Sequence, residues 1–226
     1  MLFNYLDIET ETYDNARWYQ TPAGAYPSIT SILGHTASQE KIDSLNRWRD
    51  SRGHKEADEY TQQRADHGTM VHLLIERFLK GEDVYALVPG KIISDADIAA
   101  FKSLKFKLKN ITSVWGQEVA LFSTKLEIAG RCDLICEYNG VPAIVDFKTS
   151  ARIKNDADIH DYKLQLCFYA QAHNEMFNTN ITEGVVLMAT NSIPQEFKIY
   201  LPDFESALQI RAKTFWKNTI NKINNN

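Results

Sequence analysis

The chain has 226 residues, 44% of them hydrophobic and 24% charged, which is ordinary for a globular protein and enough for a substantial core. A formal net charge of -4 argues against a protein that coats nucleic acid non-specifically, because such proteins gain their affinity by neutralising phosphates. It leaves room for a nuclease-type site whose own carboxylates carry the charge while a local basic stripe guides the substrate. No apolar run approaches the roughly 20 residues that span a bilayer, and the start, Met1 to Asp7, lacks the basic region and apolar stretch of a signal peptide. A cytoplasmic protein with no membrane partner is expected. Cys132, Cys136 and Cys167 are odd in number, two of them at alternating positions of one expected strand, so buried thiols are expected and not a disulfide framework or zinc site.

In chain order, Thr12 to Gln20 reads as a strand, Thr21-Pro22-Ala23-Gly24 as a turn, and Ala25-Tyr26 as its return, an N-terminal hairpin. From Ser28 to Gly53, Ile29, Ile32, Leu33, Ile42, Leu45 and Trp48 recur at helical spacing with a polar interruption at His35 to Gln39, which fits two short helices. Glu59 to Leu79 carries the broadest apolar face, and Gly81 stops it. Ser94, with Asp97 three residues on, opens a helix to about Asn110. On it, Lys102, Lys105 and Lys109 form either a guiding stripe or a solvated face.

The period then changes from 3.6 to 2. Trp115 to Ser123, Leu126 to Tyr138 and Val141 to Thr149 read as strands, the last two joined through Asn139-Gly140, a hairpin signal. A helix over Asp158 to Phe177, strands over Gly184 to Ala189 and Glu196 to Leu201, and a closing helix from Phe204 to about Ile223 follow, with a frayed tail at Asn224 to Asn226. This order predicts an α/β fold with a central mixed sheet flanked by helices, as one domain over 1–226. Within it, 1–60 forms a hairpin-and-helix region on a substrate path and 61–226 the core.

Chemistry concentrates in the strands. Asp146 and Lys148 are two apart, so both point to one face of the sheet, and Asp133 is carried toward them across the Asn139-Gly140 hairpin. Both acids lie in apolar runs, where an ionised carboxylate is costly unless it is paired or coordinates a metal. Carboxylate oxygens suit Mg²⁺ or Mn²⁺, which polarises a phosphate and acidifies a bound water, and Lys148 would position that nucleophile or offset charge on phosphorus. Alone, an Asp-x-Lys triplet is something a chain this charged supplies about once by chance. Independent features join it: His72 and Glu76 at i and i+4 on the long helix, Glu118 opening the first strand, and Gln165 with Tyr169 at i and i+4 after the triplet.

Together, Gly130-Arg131-Cys132-Asp133, Asp146-Phe147-Lys148-Thr149 and Gln165-Leu166-Cys167-Phe168-Tyr169, with Gly68-Thr69-x-x-His72 upstream, resemble the PD-(D/E)XK nucleases of the RecB exonuclease type. Within that superfamily the pattern is most similar to the mitochondrial genome maintenance exonucleases and their phage and bacterial relatives, whose N-terminal half Tyr26 to Leu33 and Leu45 to Arg49 also resemble. The resemblance implies a restriction-endonuclease-like core and a metal-dependent DNA exonuclease acting on single-stranded ends in replication, repair or recombination, beside proteins of those pathways. It implies Asp133, Asp146, His72, Glu118 and the Phe147 carbonyl as ligands of Mg²⁺ or Mn²⁺, with Lys148 catalytic beside the two acids. Gln165 would support the active site and Tyr169 the DNA strand. Ser28, Thr30 and Ser31 would begin a helix near the DNA path. The sequence departs from the pattern in having Cys132-Asp133 for Pro-Asp, and its cysteines are not spaced for the iron-sulfur cluster of some relatives, so none is expected.

Three other readings compete. Leu6-Asp7-Ile8-Glu9-Thr10 looks like the first motif of DEDD exonucleases, but Asn178 stands where that family needs an acid. A catalytically silent DNA-binding protein would keep the same fold. A phage-type double-strand recombination exonuclease would share the same metal chemistry.

Overall fold

A computed structural model describes residues 2–224; the expectation for Asn225 and Asn226 lies outside the described residues. The N-terminal hairpin is a three-stranded antiparallel meander: β1 (Thr10–Tyr13), β2 (Ala16–Thr21) and β3 (Gly24–Pro27). The expected first strand is broken at Asp14-Asn15, both at positive φ (49° and 57°), a two-residue turn whose twist suits adjoining antiparallel strands. Ile8, Tyr19 and Tyr26 from this region pack on Ala120 and Ala129 of the main sheet.

Helices α1 (Ile29–His35), α2 (Gln39–Arg52) and α3 (His54–Lys80) follow. Ser28 caps α1 by accepting from the Ser31 N–H, and Ile29, Ile32 and Leu33 are buried. The two short helices are those expected, and α2 buries no residue: Ile42 and Leu45 are 40% and 55% exposed. Its packing is against α3, with Arg52 stacked on Trp48 and Tyr60, so helical spacing there reports the helix and not a core face. Helix α4 (Asp95–Leu108) starts at the expected capping box of Ser94 and Asp97.

The main sheet has the order β4 (Ile111–Ser123), β5 (Ile128–Tyr138), β6 (Val141–Ser150), β7 (Glu183–Thr190), β8 (Gln195–Tyr200). All neighbours are antiparallel except β6 and β7, which are joined by helix α5 (His160–Phe177) as a parallel pair requires. Asn139 and Gly140, at φ 53° and 78°, make the tight β5–β6 turn. Helix α6 (Glu205–Asn224) closes the chain.

Two cores sandwich this sheet. On one face Leu164, Phe168 and Leu208 from α5 and α6 meet Ile144, Val186 and Met188; on the other Leu74, Ile75, Phe101 and Leu104 from α3 and α4 meet Val145, Phe147 and Leu187. Each such aliphatic side chain contributes about 1.5–3 kcal/mol on burial, which fixes the sheet between its helices. Among the described residues no helix is long and apolar enough to cross a membrane.

Candidate active site

The site lies where β5 and β6 part. Their ladder runs from Tyr138↔Val141 to Leu134↔Val145, so the next step would set Asp133 opposite Asp146, but no pair forms there. Instead the Phe147 N–H donates to Asp133 Oδ2 at 2.9 Å. Strand alternation also breaks at Asp133: Cys132 and Ile135 belong to the α5-side core, Leu134 and Cys136 to the α3-side core. Beside it on β4, Glu118 has φ 50° in the left-handed region, an irregularity that leaves the ladder intact on either side at Gln117↔Leu134 and Val119↔Cys132. Two neighbouring strands thus deform at one point, and both deformed residues are acids.

Helix α3 brings His72 over them. Its Nδ1 lies 3.7 Å from Glu118 Oε1 and 3.7 Å from Asp133 Oδ2. Its Nε2 lies 2.7 Å from the Phe147 carbonyl, so that nitrogen donates and Nδ1 is turned to the carboxylates. His72, Glu118 and Asp133 each present one ligand atom, all within 4.8 Å of one another, an arrangement able to hold a metal ion. Burial opposes the imidazolium, but the neighbouring carboxylates of Asp133 and Glu118 outweigh it and raise His72 to about 9. Without a cation, the cluster holds a proton on the imidazole.

Asp146 lies below this trio and is 1% exposed. Lys148 Nζ sits 2.6 Å from both of its oxygens, yet is aligned to donate only to Oδ1, which leaves Oδ2 buried with no hydrogen bond. The ammonium offsets the cost of burying this carboxylate, and a divalent cation is a further partner that its oxygens accept. The donor set of one imidazole and three carboxylates fits a hard or borderline divalent ion, whereas the Phe147 carbonyl, expected as a ligand, is instead engaged by His72 Nε2 on the side of the ring away from the acids. Burial, opposed by Lys148, pushes Asp146 up to about 6. Burial works against the Lys148 ammonium too, but Asp146 and Asp133 hold it above the ordinary lysine value, so it stays a cation.

The remaining predicted residues divide. Gln165 is buried on α5 and donates through Nε2 to the Tyr169 hydroxyl, which in turn donates to the Arg131 carbonyl at 2.6 Å. At 2% exposure, Tyr169 props β5 one residue-pair away from Asp133 and presents no surface. Ser28 Oγ caps α1 and bonds the hydroxyls of both Thr30 and Ser31, and Ser31 Oγ also accepts from the Arg17 N–H, so the three are engaged at the start of the helix. Glu76 pairs with Lys80 and takes no part in the cluster. Asp7 and Glu9 precede β1 and lie outside the cluster as well.

Sequence reasoning gave no role to three neighbours. Arg131, exposed beside the cluster, donates to the Glu118 carbonyl and braces the deformed strand. Its place two residues before Asp133 was the available signal. The Tyr162 ring lies 5.0 Å from Lys148 Nζ and offers it a cation–π face. Arg64, two turns before His72 on α3, reaches Thr149 at the end of the catalytic-type strand.

Acids, an imidazole and an ammonium converging where a mixed α/β sheet splays are the parts of a phosphodiester-cleaving centre. Residues 93–210 match the PD-(D/E)XK nuclease superfamily, and the chain belongs to that superfamily. The match takes in every site residue on the sheet and on α5, whereas His72 on α3 lies before it. The chain is similar to mitochondrial genome maintenance exonuclease 1 of Xenopus tropicalis, 28% identical over 174 residues that cover 74% of this chain and 49% of that protein. It is also similar to the Homo sapiens protein of the same name, 25% identical over 170 residues, covering 72% and 48%. The chain therefore spans about half the length of the curated relatives it matches.

Proposed function

We propose that this protein is a metal-dependent DNA exonuclease that hydrolyses phosphodiester bonds at single-stranded ends. The observation that carries the reading is the convergence of His72, Glu118 and Asp133, whose ligand atoms lie within 4.8 Å of one another, with the buried Asp146–Lys148 ion pair on the adjoining strand. Exonuclease character and preference for DNA ends are drawn from the names of the similar proteins.

In this reading Asp133, Asp146, Glu118 and His72 Nδ1 hold Mg²⁺ or Mn²⁺. Such an ion, when bound, polarises the phosphate and lowers the pKa of water. The chain's own groups do the rest. The Phe147 N–H holds the Asp133 carboxylate in place, and the Phe147 carbonyl fixes the His72 ring. Lys148 offers its ammonium to the attacking oxygen and to the charge that grows on the phosphoryl oxygens. Gln165 and Tyr169 keep β5 in position through the Arg131 carbonyl. Residues of the N-terminal region, up to about 60, flank the strand's route, and the setting is DNA replication, repair or recombination alongside other proteins of those processes.

The test is a time course on end-labelled linear and circular single-stranded DNA and on blunt duplex DNA, with Mg²⁺, Mn²⁺ or chelator. Linear single strands are expected to be consumed from an end in either metal, and by neither chelated enzyme nor Asp146→Ala. Circular DNA cut as fast as linear refutes the exonuclease assignment. Faster loss of blunt duplex points to a recombination-type double-strand exonuclease, and DNA binding without cleavage in both metals points to a silent DNA-binding protein.

A further inference from the structure

A groove of about 1170 Å³ runs beside α3, between the start of α4 and the C-terminal ends of β6 and β7. It is lined by Arg64 and His67 from α3, by Lys91 from the segment before α4, and by Ser150 and Asn191 at the strand ends. Arg64, Gly68 and His72 recur at four-residue intervals, so they form one stripe along the helix. That stripe faces β6: Arg64 donates to Thr149 Oγ1, a Cβ on Gly68 would lie 3.8 Å from the same oxygen, and His72 meets the Phe147 carbonyl. Arg64 is the residue shared by the groove and this stripe, and it stands about 12 Å from His72 at the 1.5 Å helical rise.

The groups in it are arranged for an anion. Arg64 is half-buried, and among the described residues its one hydrogen bond is the 3.3 Å contact to Thr149, which steadies the guanidinium and leaves most of its five donors unused. His67 is fixed from behind, since Asp97 Oδ1 lies 2.6 Å from its Nδ1. Ser94 donates twice to Asp97, through its backbone N–H and its hydroxyl, so both oxygens of that carboxylate are engaged within the wall of the groove. Asp66, also on the lining, accepts from Gln62 on its own helix. The lining sets Arg64 and Lys91 against Asp66 and Asp97, and since Asp97 is turned to His67 and Ser94, the donors left free toward the groove are those of Arg64 and Lys91.

We propose that this groove takes the backbone of the nucleic-acid strand adjacent to the cleaved bond, with Arg64 gripping a phosphate other than the scissile one and His67 its neighbouring contact. The proposal rests on the nuclease reading above and deepens it by naming the residues that hold the substrate strand. A planar fork that meets a phosphate oxygen pair is what Arg supplies and a point charge does not.

The experiment measures binding of a fluorescent single-stranded oligothymidylate to the full chain by anisotropy, at several salt concentrations, with chelator present so that the strand survives. For Arg64→Ala the expected result is about tenfold weaker binding and a log–log salt slope shallower by about one, the mark of one lost phosphate contact. Arg64→Lys recovers the slope and only part of the affinity, which a purely structural role for Arg64 would not produce. Lys91→Ala, on the exposed opposite wall, reduces the slope similarly and keeps the test decisive should Arg64→Ala not fold. Slopes equal to wild type in Arg64→Ala and Lys91→Ala overturn the proposal, as does a wild-type chain that binds no single strand. Cleavage activity with unchanged slopes removes the groove and keeps the nuclease; a wild type that binds with the expected slopes but cleaves in no metal removes the nuclease and keeps the groove.

Discussion

The Phe147 N–H reaches Asp133 Oδ2 at 2.9 Å across the point where β5 and β6 stop pairing. A backbone donor that would otherwise face an empty rung holds a carboxylate next to two others. Asp133→Asn keeps an acceptor for this N–H and removes the charge. Global stability is expected to stay within about 1 kcal/mol, because the hydrogen bond survives as a neutral one. Mn²⁺ affinity by calorimetry is expected to fall at least tenfold, on the scale set by lost ligand support. Unaltered Mn²⁺ binding in Asp133→Asn would remove Asp133 from the metal site.

Much of this arrangement was legible in the sequence. Two-residue spacing placed Asp146 and Lys148 on one face, and Asn139-Gly140 set a register that brings Asp133 level with Asp146. The helix carrying His72 was legible from its apolar stripe. What escaped came from deformations that a strict period cannot encode. Glu118 at φ 50° and the broken alternation at Asp133 put Cys132 and Cys136 in opposite cores although their spacing is even. The Asp14-Asn15 turn was hidden because β1 is exposed at every position and shows no alternation to interrupt. Helical spacing gave α2 its existence but not its surroundings, for Ile42 and Leu45 stay exposed.

Tyr169 distinguishes a prop from a DNA contact. Its hydroxyl satisfies the Arg131 carbonyl and accepts from Gln165 within the core, so Tyr169→Phe should cost about 1–2 kcal/mol in urea unfolding. DNA affinity of the folded variant should remain within about twofold of wild type, since the side chain is 2% exposed. Gly130→Ala attacks the same contact sterically: its Cβ would lie 2.9 Å from the Tyr169 ring and 3.2 Å from Ile29, costing about 1–3 kcal/mol. A tenfold loss of DNA binding in stably folded Tyr169→Phe would show that the ring touches the strand.

Asp146 and Lys148 should respond unequally to truncation. Asp146→Ala strands an ammonium whose side chain is only 21% exposed, a loss of about 3 kcal/mol. Lys148→Met leaves a carboxyl already raised to about 6, which can take a proton near neutral pH and so escape much of the burial cost. Urea midpoints at pH 7 should therefore rank wild type above Lys148→Met above Asp146→Ala, with DNA cleavage abolished in both variants. The reverse ranking of the two variants would show that Lys148 contributes more by packing than by pairing.

His173 gives the fold a pH dependence separate from the site. It has no exposed surface, and Phe3, Tyr5, Trp115 and Phe177 surround it. Thr179 gives its hydroxyl proton to Asn174, so it must accept from His173 Nδ1–H at 2.8 Å, and Nε2 is left to accept from the Tyr5 hydroxyl at 3.1 Å. Protonating Nε2 would forfeit that bond, and burial lowers His173 to about 4. Above pH 6.5 neither the folded nor the unfolded state carries the proton, and the residue adds no pH dependence. Between 6.5 and 4 the unfolded chain binds a proton that the folded chain refuses, so stability falls as pH falls, by about 3 kcal/mol in total; below 4 the slope vanishes. Carboxylates such as Glu175 and Glu196, held below their ordinary values by hydrogen bonds despite burial, also lose stability in acid, but they do so equally in His173→Gln. The difference in unfolding free energy between wild type and His173→Gln, measured at pH 7.5, 6 and 5, should therefore narrow steadily toward acid. A difference that stays constant across the three would show that the imidazole titrates as freely in the folded chain as in the unfolded one.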